Sequence, residues 1–167
     1  DQNIKRKFTK DKLEYKNMSF NILKKYSISI SSALFKKKSA VKIGCFNEKY
    51  SIIGDFDFFY RMSIKGKFSV IQDPLIIYHI HKNNFSKKNL GLRIKEMRHW
   101  LLKNSTIKKN NLLKRVFQNK VDENLYFEFV YYLKIKSFKN CITIINKMQI
   151  YTKIKSIIRF LKYFFFK

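Results

Sequence analysis

Near residue 88 the apolar pattern of this chain changes period. Before that point lie short runs of β-branched and aromatic residues, ISISSALF (28–35), FSVIQ (68–72) and LIIYHIH (75–81). They alternate or turn continuously apolar, as strands do, and Asp73-Pro74 marks a turn between the last two. Between them lie stretches with helical spacing. LEYKNMSFNILKK (13–25) is one, KKKSAVKIG closes on Gly44 at a C-cap-like position, and DFDFFYRMSIK (55–65) ends at Gly66. After the polar stretch HKNNFSKKN, the segments 90–103, 106–118, 122–136 and 139–148 all carry amphipathic helical spacing, with no further strand signal. The expectation is a two-part chain, an α/β part over 1–88 and an all-helical extension over 89–167. No internal repeat of fixed period is present.

Composition narrows the classes. With 46% hydrophobic residues the 167-residue chain has material for a core, which excludes wholesale disorder. Four glycines and one proline exclude collagen-like, linker-rich and proline-rich scaffolds. Cys45 and Cys141 are too few and too far apart for a disulfide framework or a zinc site, and they are expected as buried or partly buried free thiols. A net charge of +26 points to polyanions. Only six of the 37 basic residues are arginine, however, the residue whose planar fork reads base edges, so nucleic acid is disfavoured. The lysine, asparagine, isoleucine and phenylalanine excess is what an AT-rich coding sequence produces.

The chain opens at Asp1 without a methionine or an apolar leader, and the expectation is a processed start or the C-terminal part of a longer protein. No run of about 18 uncharged apolar residues spans a bilayer. The last stretch, IYTKIKSIIRFLKYFFFK (150–167), sets Ile150, Ile154, Ile157, Ile158, Leu161, Phe164 and Phe165 on one helical face. Lys153, Lys155, Arg159, Lys162 and Lys167 take much of the rest. A basic amphipathic helix of this kind lies in a headgroup interface or docks on its own domain with its charges solvated. Trp100 is expected as a packing anchor.

Chemistry concentrates in residues 28–86. Asp55 and Asp57 open a helix, where unpaired amides and the helix dipole favour anions; one of them is placed for an N-cap. Arg61 lies four residues after Asp57, the spacing of a helical salt bridge. His79 and His81 share one face of the expected strand and could hold a divalent ion, but with no third ligand in view such a pair on an isoleucine-rich strand is more often structural.

In order, Ser31, Ser32, Gly44, Phe46, Asn47, Glu48, Asp55, Asp57, Arg61, Gly66, Pro74, Leu75, Tyr78, His81, Asn83, Asn84 and Ser86 match a single pattern. The run SISISSALFKKKSAVKIGCFNEKY, then GDFDFFYRMSIKGKFSVIQDPLIIYHIHKNNFS, resembles the C-terminal half of the catalytic domain of family 2 glycosyltransferases. The resemblance implies a partial GT-A-type, Rossmann-like α/β domain with few mixed strands over 1–88, its nucleotide-binding half lying before the matched stretch. It implies an inverting transfer from a nucleotide-sugar donor to a cell-surface glycan or lipid-linked acceptor. Asp55 then takes the place of the general base, and Asp57 and Arg61 match orienting or structural positions. Ser31 and Ser32 lie on the strand beneath the acceptor pocket. His81 matches a residue near the metal and diphosphate, a candidate ligand for Mg²⁺ or Mn²⁺ whose main ligands belong to the absent half. His79 replaces the family's usual arginine, and Gly54 its usual glutamate. No glycine-rich phosphate loop is present, and the isolated chain is expected to be inactive. Such an enzyme would be cytoplasmic, with residues 150–167 on the inner face of the cell membrane. The alternative is a basic module without catalysis that binds nucleic acid or an anionic membrane.

Overall fold

The computed structural model describes residues 16–73, 76–77 and 85–165. Among them every regular element is helical and no strand forms. The expected α/β, Rossmann-like domain with mixed strands is therefore not the architecture observed. In the segment expected as a strand over 28–35, Ser29 and Ala33 are extended, but Ile30–Ser32 closes a 3₁₀ turn between them. Both the amide and the hydroxyl of Ser32 donate to the Ser29 carbonyl, each at 3.0 Å. A serine that bonds back to its own backbone takes the acceptor a sheet ladder would need. Residues 68–72 keep the expected alternation, with Phe68 and Val70 half-buried and Ser69 and Ile71 exposed, yet no ladder forms there among the described residues. Alternation specifies a face, and a strand exists only through a partner. Of the expected strand at 75–81 only residues 76 and 77 are described, and both are irregular.

The chain divides into two compact units, 1–84 and 85–167. The first is built on helices α1 (Met18–Lys24), α2 (Lys37–Lys42) and α3 (Gly54–Lys65). α3 is the core element: Phe56, Asp57, Phe58, Phe59, Tyr60 and Met62 are all buried, so the helix is enclosed over most of its circumference. α1, with Ile22 and Leu23 buried, packs against it. Phe46 stacks on Phe58 with ring centroids 4.1 Å apart, and Phe35 meets both Phe58 and Phe59. Each such pair adds about 1 kcal/mol beyond the area it buries. α2 ends as its sequence predicts. Gly44 takes the left-handed conformation at φ 84°, its amide bonds Val41, and the Cys45 amide reaches back to Ala40. This is a Schellman closure, which glycine makes without a Cβ penalty.

The second unit holds a short α4 (Phe85–Lys88), then α5 (Leu90–Lys103), a 3₁₀ turn (Ser105–Lys109), α6 (Asn111–Lys134), α7 (Phe138–Lys147) and α8 (Ile150–Phe165). The helices expected separately at 106–118 and 122–136 are one 24-residue helix, about 36 Å long. The side chain of Asn110 starts it by accepting the Leu112 and Leu113 amides, and neither glycine nor proline interrupts it. α5, α7 and α8 all pack against α6. Trp100 is fully buried, with Phe117 beside it, and is the packing anchor its sequence context implied. A second cluster joins Phe129, Leu133, Cys141, Ile144, Ile145 and Met148. α8 is tied down by a carboxylate from α6. Asp122 accepts the Gln149 amide at 3.1 Å and the Thr152 hydroxyl at 2.9 Å, capping the start of α8 from outside. Among the described residues no helix is long and apolar enough to cross a membrane.

Candidate functional site

The acidic cluster of the first unit resolves into two carboxylates with different surroundings. Helix α3 begins at Gly54 with Ile53 as its N-cap residue, so neither Asp55 nor Asp57 is the N-cap. Both lie in the first turn, where the free amides and the dipole favour negative charge.

Asp57 is buried at 4% exposure and bound by Arg61 one turn later. The guanidinium Nε and Nη2 both lie 2.8 Å from Oδ2. The same guanidinium donates to the Ile43 carbonyl at 2.5 Å and to the Cys45 carbonyl at 2.7 Å. Arg61 thus fastens α3 to the turn that closes α2, on either side of the left-handed Gly44. A guanidinium can do this because its fork offers five donors in one plane; an ammonium on the same stem could not meet three fixed acceptors in one plane. This pair positions the turn and the helix, and its chemistry is spent on that.

Asp55 is half-buried and far less compensated. Its Oδ1 accepts the Phe56 amide at 2.7 Å. Burial raises its pKa above the ordinary aspartate value, more than the Phe56 amide, the Tyr26 hydroxyl and its own amide lower it. Tyr26 stands over the same turn, its ring edge-on to Phe56 at 5.6 Å. Burial first, and the Asp55 charge second, push its phenol far above the usual value. The Tyr26 hydroxyl is buried and close enough to act on the carboxylate, yet falls outside strict hydrogen-bond geometry. The result is a carboxylate at a helix mouth, open on one side, with a raised proton affinity and a neutral phenol beside it. Such a group can take a proton from a hydroxyl brought against it.

The other expected site residues do not join this cluster. Ser31 and Ser32 are exposed on the 3₁₀ turn, and the strand that was to carry them beneath a pocket does not form. His79 and His81 lie outside the described residues. Among those described, no three His, Cys, Asp or Glu side chains come together as metal ligands. Cys141 is buried as expected, whereas Cys45 is an exposed free thiol on its left-handed turn. Tyr26 was not visible as a site residue, because 29 residues separate it from Asp55 and no local spacing links them. Its one sequence signal is an aromatic residue just past the end of α1.

In comparisons with protein-family models, curated proteins and solved structures, nothing matches this chain.

Proposed function

We propose that the first unit carries the acceptor side of an inverting family 2-like glycosyltransferase, with Asp55 as its general base. The enzyme would move a sugar from a nucleotide-sugar donor to a cell-surface glycan or glycolipid. Asp55 would take the proton of the acceptor hydroxyl as that oxygen bonds the anomeric carbon, while the bond to the departing diphosphate breaks on the opposite face. The observation that carries the reading is the ordered run of matches from Ser31 to Ser86, within which Asp55 opens the matched helix and is not engaged by the helix's arginine. Asp57, the other acid of the motif, is engaged by Arg61. The raised pKa of Asp55 agrees with the role, since a base works best when its proton affinity approaches the working pH. Arg61 supports it indirectly by holding the Gly44–Cys45 turn against the helix that presents Asp55. The reading rests on this turn-and-helix module and on residue order, not on a sheet architecture. A divalent cation would offset the diphosphate charge in such a reaction, but no step is assigned to it here, because the described residues form no site for one.

The test is donor-dependent sugar transfer by the complete gene product, assayed over a panel of nucleotide sugars. Asp55→Asn should lower kcat by about 10²–10⁴-fold with donor Kd unchanged, because it removes the base and keeps the shape. A variant that keeps most of its rate would remove Asp55 from this role. Absence of transfer from every donor would remove the transferase reading itself. The 167-residue chain alone should show no turnover, and robust activity from it would break the view that the donor side lies elsewhere.

A further inference from the structure

The tail helix has two ways to hide its apolar residues, and α8 uses the smaller face to do so. It docks through Thr152, Ser156 and Phe160. Thr152 bonds Asp122, Ser156 is fully buried against the Met148 sulfur, and Phe160 meets Phe129 and Phe138. The broad aliphatic stripe points elsewhere. Ile150, Ile154, Ile157, Ile158 and Leu161 stay exposed, from 40% at Ile157 to 77% at Ile150. At 100° per residue these five fall within one band, on the side of α8 away from its docking contacts.

A cationic edge runs beside the stripe. Lys155 sits over the Tyr126 ring with its Nζ 4.9 Å from the centroid. Arg159 donates to the Tyr126 hydroxyl at 2.8 Å. One tyrosine thus holds both cations in line along the helix. Nothing acidic lies on α8 to oppose them. Residues 85–167 hold twenty basic and four acidic residues. The four acids are withdrawn: Glu96, Asp122 and Glu128 are buried, and Glu123 pairs with Lys120 and Arg93. The outward charge of this unit is therefore almost wholly positive.

We infer that the outer face of α8 docks on an anionic lipid bilayer, lying in the headgroup layer with its isoleucines toward the acyl chains. Charge complementarity selects the anionic surface. The stripe selects lipid over nucleic acid, because aliphatic side chains neither stack on bases nor bond phosphates. The face would serve this purpose whatever chemistry Asp55 performs.

Flotation of the full 167-residue chain with phosphatidylcholine vesicles, with and without phosphatidylglycerol, tests this. Binding should require phosphatidylglycerol. The double variant Ile154→Ser, Ile158→Ser changes only exposed side chains and should weaken binding about tenfold or more. Lys155→Gln should weaken it about fivefold. Helicity by circular dichroism should match the parent in each. Unchanged flotation of the serine variant overturns the inference. Equal binding to neutral vesicles overturns it too. So does a chain that ignores vesicles but sediments as a dimer that the serine variant dissolves, since a second copy would then cover the stripe.

Discussion

Asp55 in the first unit and Asp122 in the second both lie against the opening turn of a helix, where free amides favour an anion. Their treatment differs. Asp122 reaches α8 from a neighbouring helix and accepts two hydrogen bonds there, so its charge is used to hold the helix. Asp55 belongs to the helix it faces, and burial outweighs the donors it meets. Two further acids of the second unit act as fasteners: Glu128 accepts from Arg98 through one oxygen, and Glu123 bridges Lys120 and Arg93. In the first unit Asp57 is a fastener of the same kind, and Asp55 is not. A carboxylate kept partly desolvated without full compensation is a stability cost, and such costs gather where chemistry is done.

Removing a fastener should have the largest effect. Arg61→Ala takes the guanidinium from buried Asp57 and frees two carbonyls, so the first unit should lose about 3–5 kcal/mol in a denaturant melt. A loss below 1 kcal/mol would mean that Asp57 finds another partner. Next comes the same substitution made in both units. Asp55 titrates above its ordinary value in the folded chain, so the folded state holds its proton more tightly than the unfolded chain does. Its contribution to stability is complete below the ordinary aspartate pKa and is lost as pH rises through the raised folded value. At pH 7 the carboxylate therefore opposes folding. Asp55→Asn should raise Tm at pH 7, with the gain fading toward acid pH. Asp122→Asn should act in the opposite direction, by about 1–2 kcal/mol, since an amide has a single acceptor oxygen and no charge for the α8 amides. Thermal melts of the pair at two pH values check both signs, and equal signs would dissolve the contrast.

The helix ends offer a smaller version of it. α6 closes with the same Schellman geometry as α2, but the left-handed position is Lys136 at φ 58°, its amide on Leu133 and the Ser137 amide on Tyr132. Lys136→Gly should stabilise the second unit by about 1 kcal/mol, and Gly44→Ala should destabilise the first by a similar amount. The smallest change is Tyr26→Phe. It keeps the ring against Phe56 and removes the hydroxyl that lowers the Asp55 pKa, so an NMR titration of the Asp55 carboxyl should move upward with little change in Tm.

What the sequence made legible follows from range. Apolar spacing is local, and it located α3, α5, α7 and α8, together with the closing role of Gly44. The Asp57–Arg61 pair was legible for the same reason, being one helical turn apart. The two carbonyls that Arg61 also binds lie 16 and 18 residues away, and no pattern announces them. Tyr26 beside Asp55 and Asp122 beneath α8 are hidden in the same manner. The strands failed on a different count. Segments 28–35 and 68–72 carry the right residues, but pairing is a property of two segments, and Ser32 spends on its own turn the carbonyl a partner would have used. The merging of two expected helices into α6 reflects a polar stretch, Gln118-Asn119-Lys120, which dilutes the apolar signal without breaking the backbone.

Helix α6 also bears on how the second unit comes to be folded. α5 precedes it and α7 follows it directly, and α8 returns to it within about 30 residues through Asp122. The side-chain bonds that close this unit span about 27 to 33 residues, roughly one helix and its connection each, and none of those given reaches from one end of the unit to the other. Helical arrays of that kind collapse in microseconds to milliseconds. α6 is the one helix of this unit that α5, α7 and α8 all touch, so it is the spine on which their packing depends.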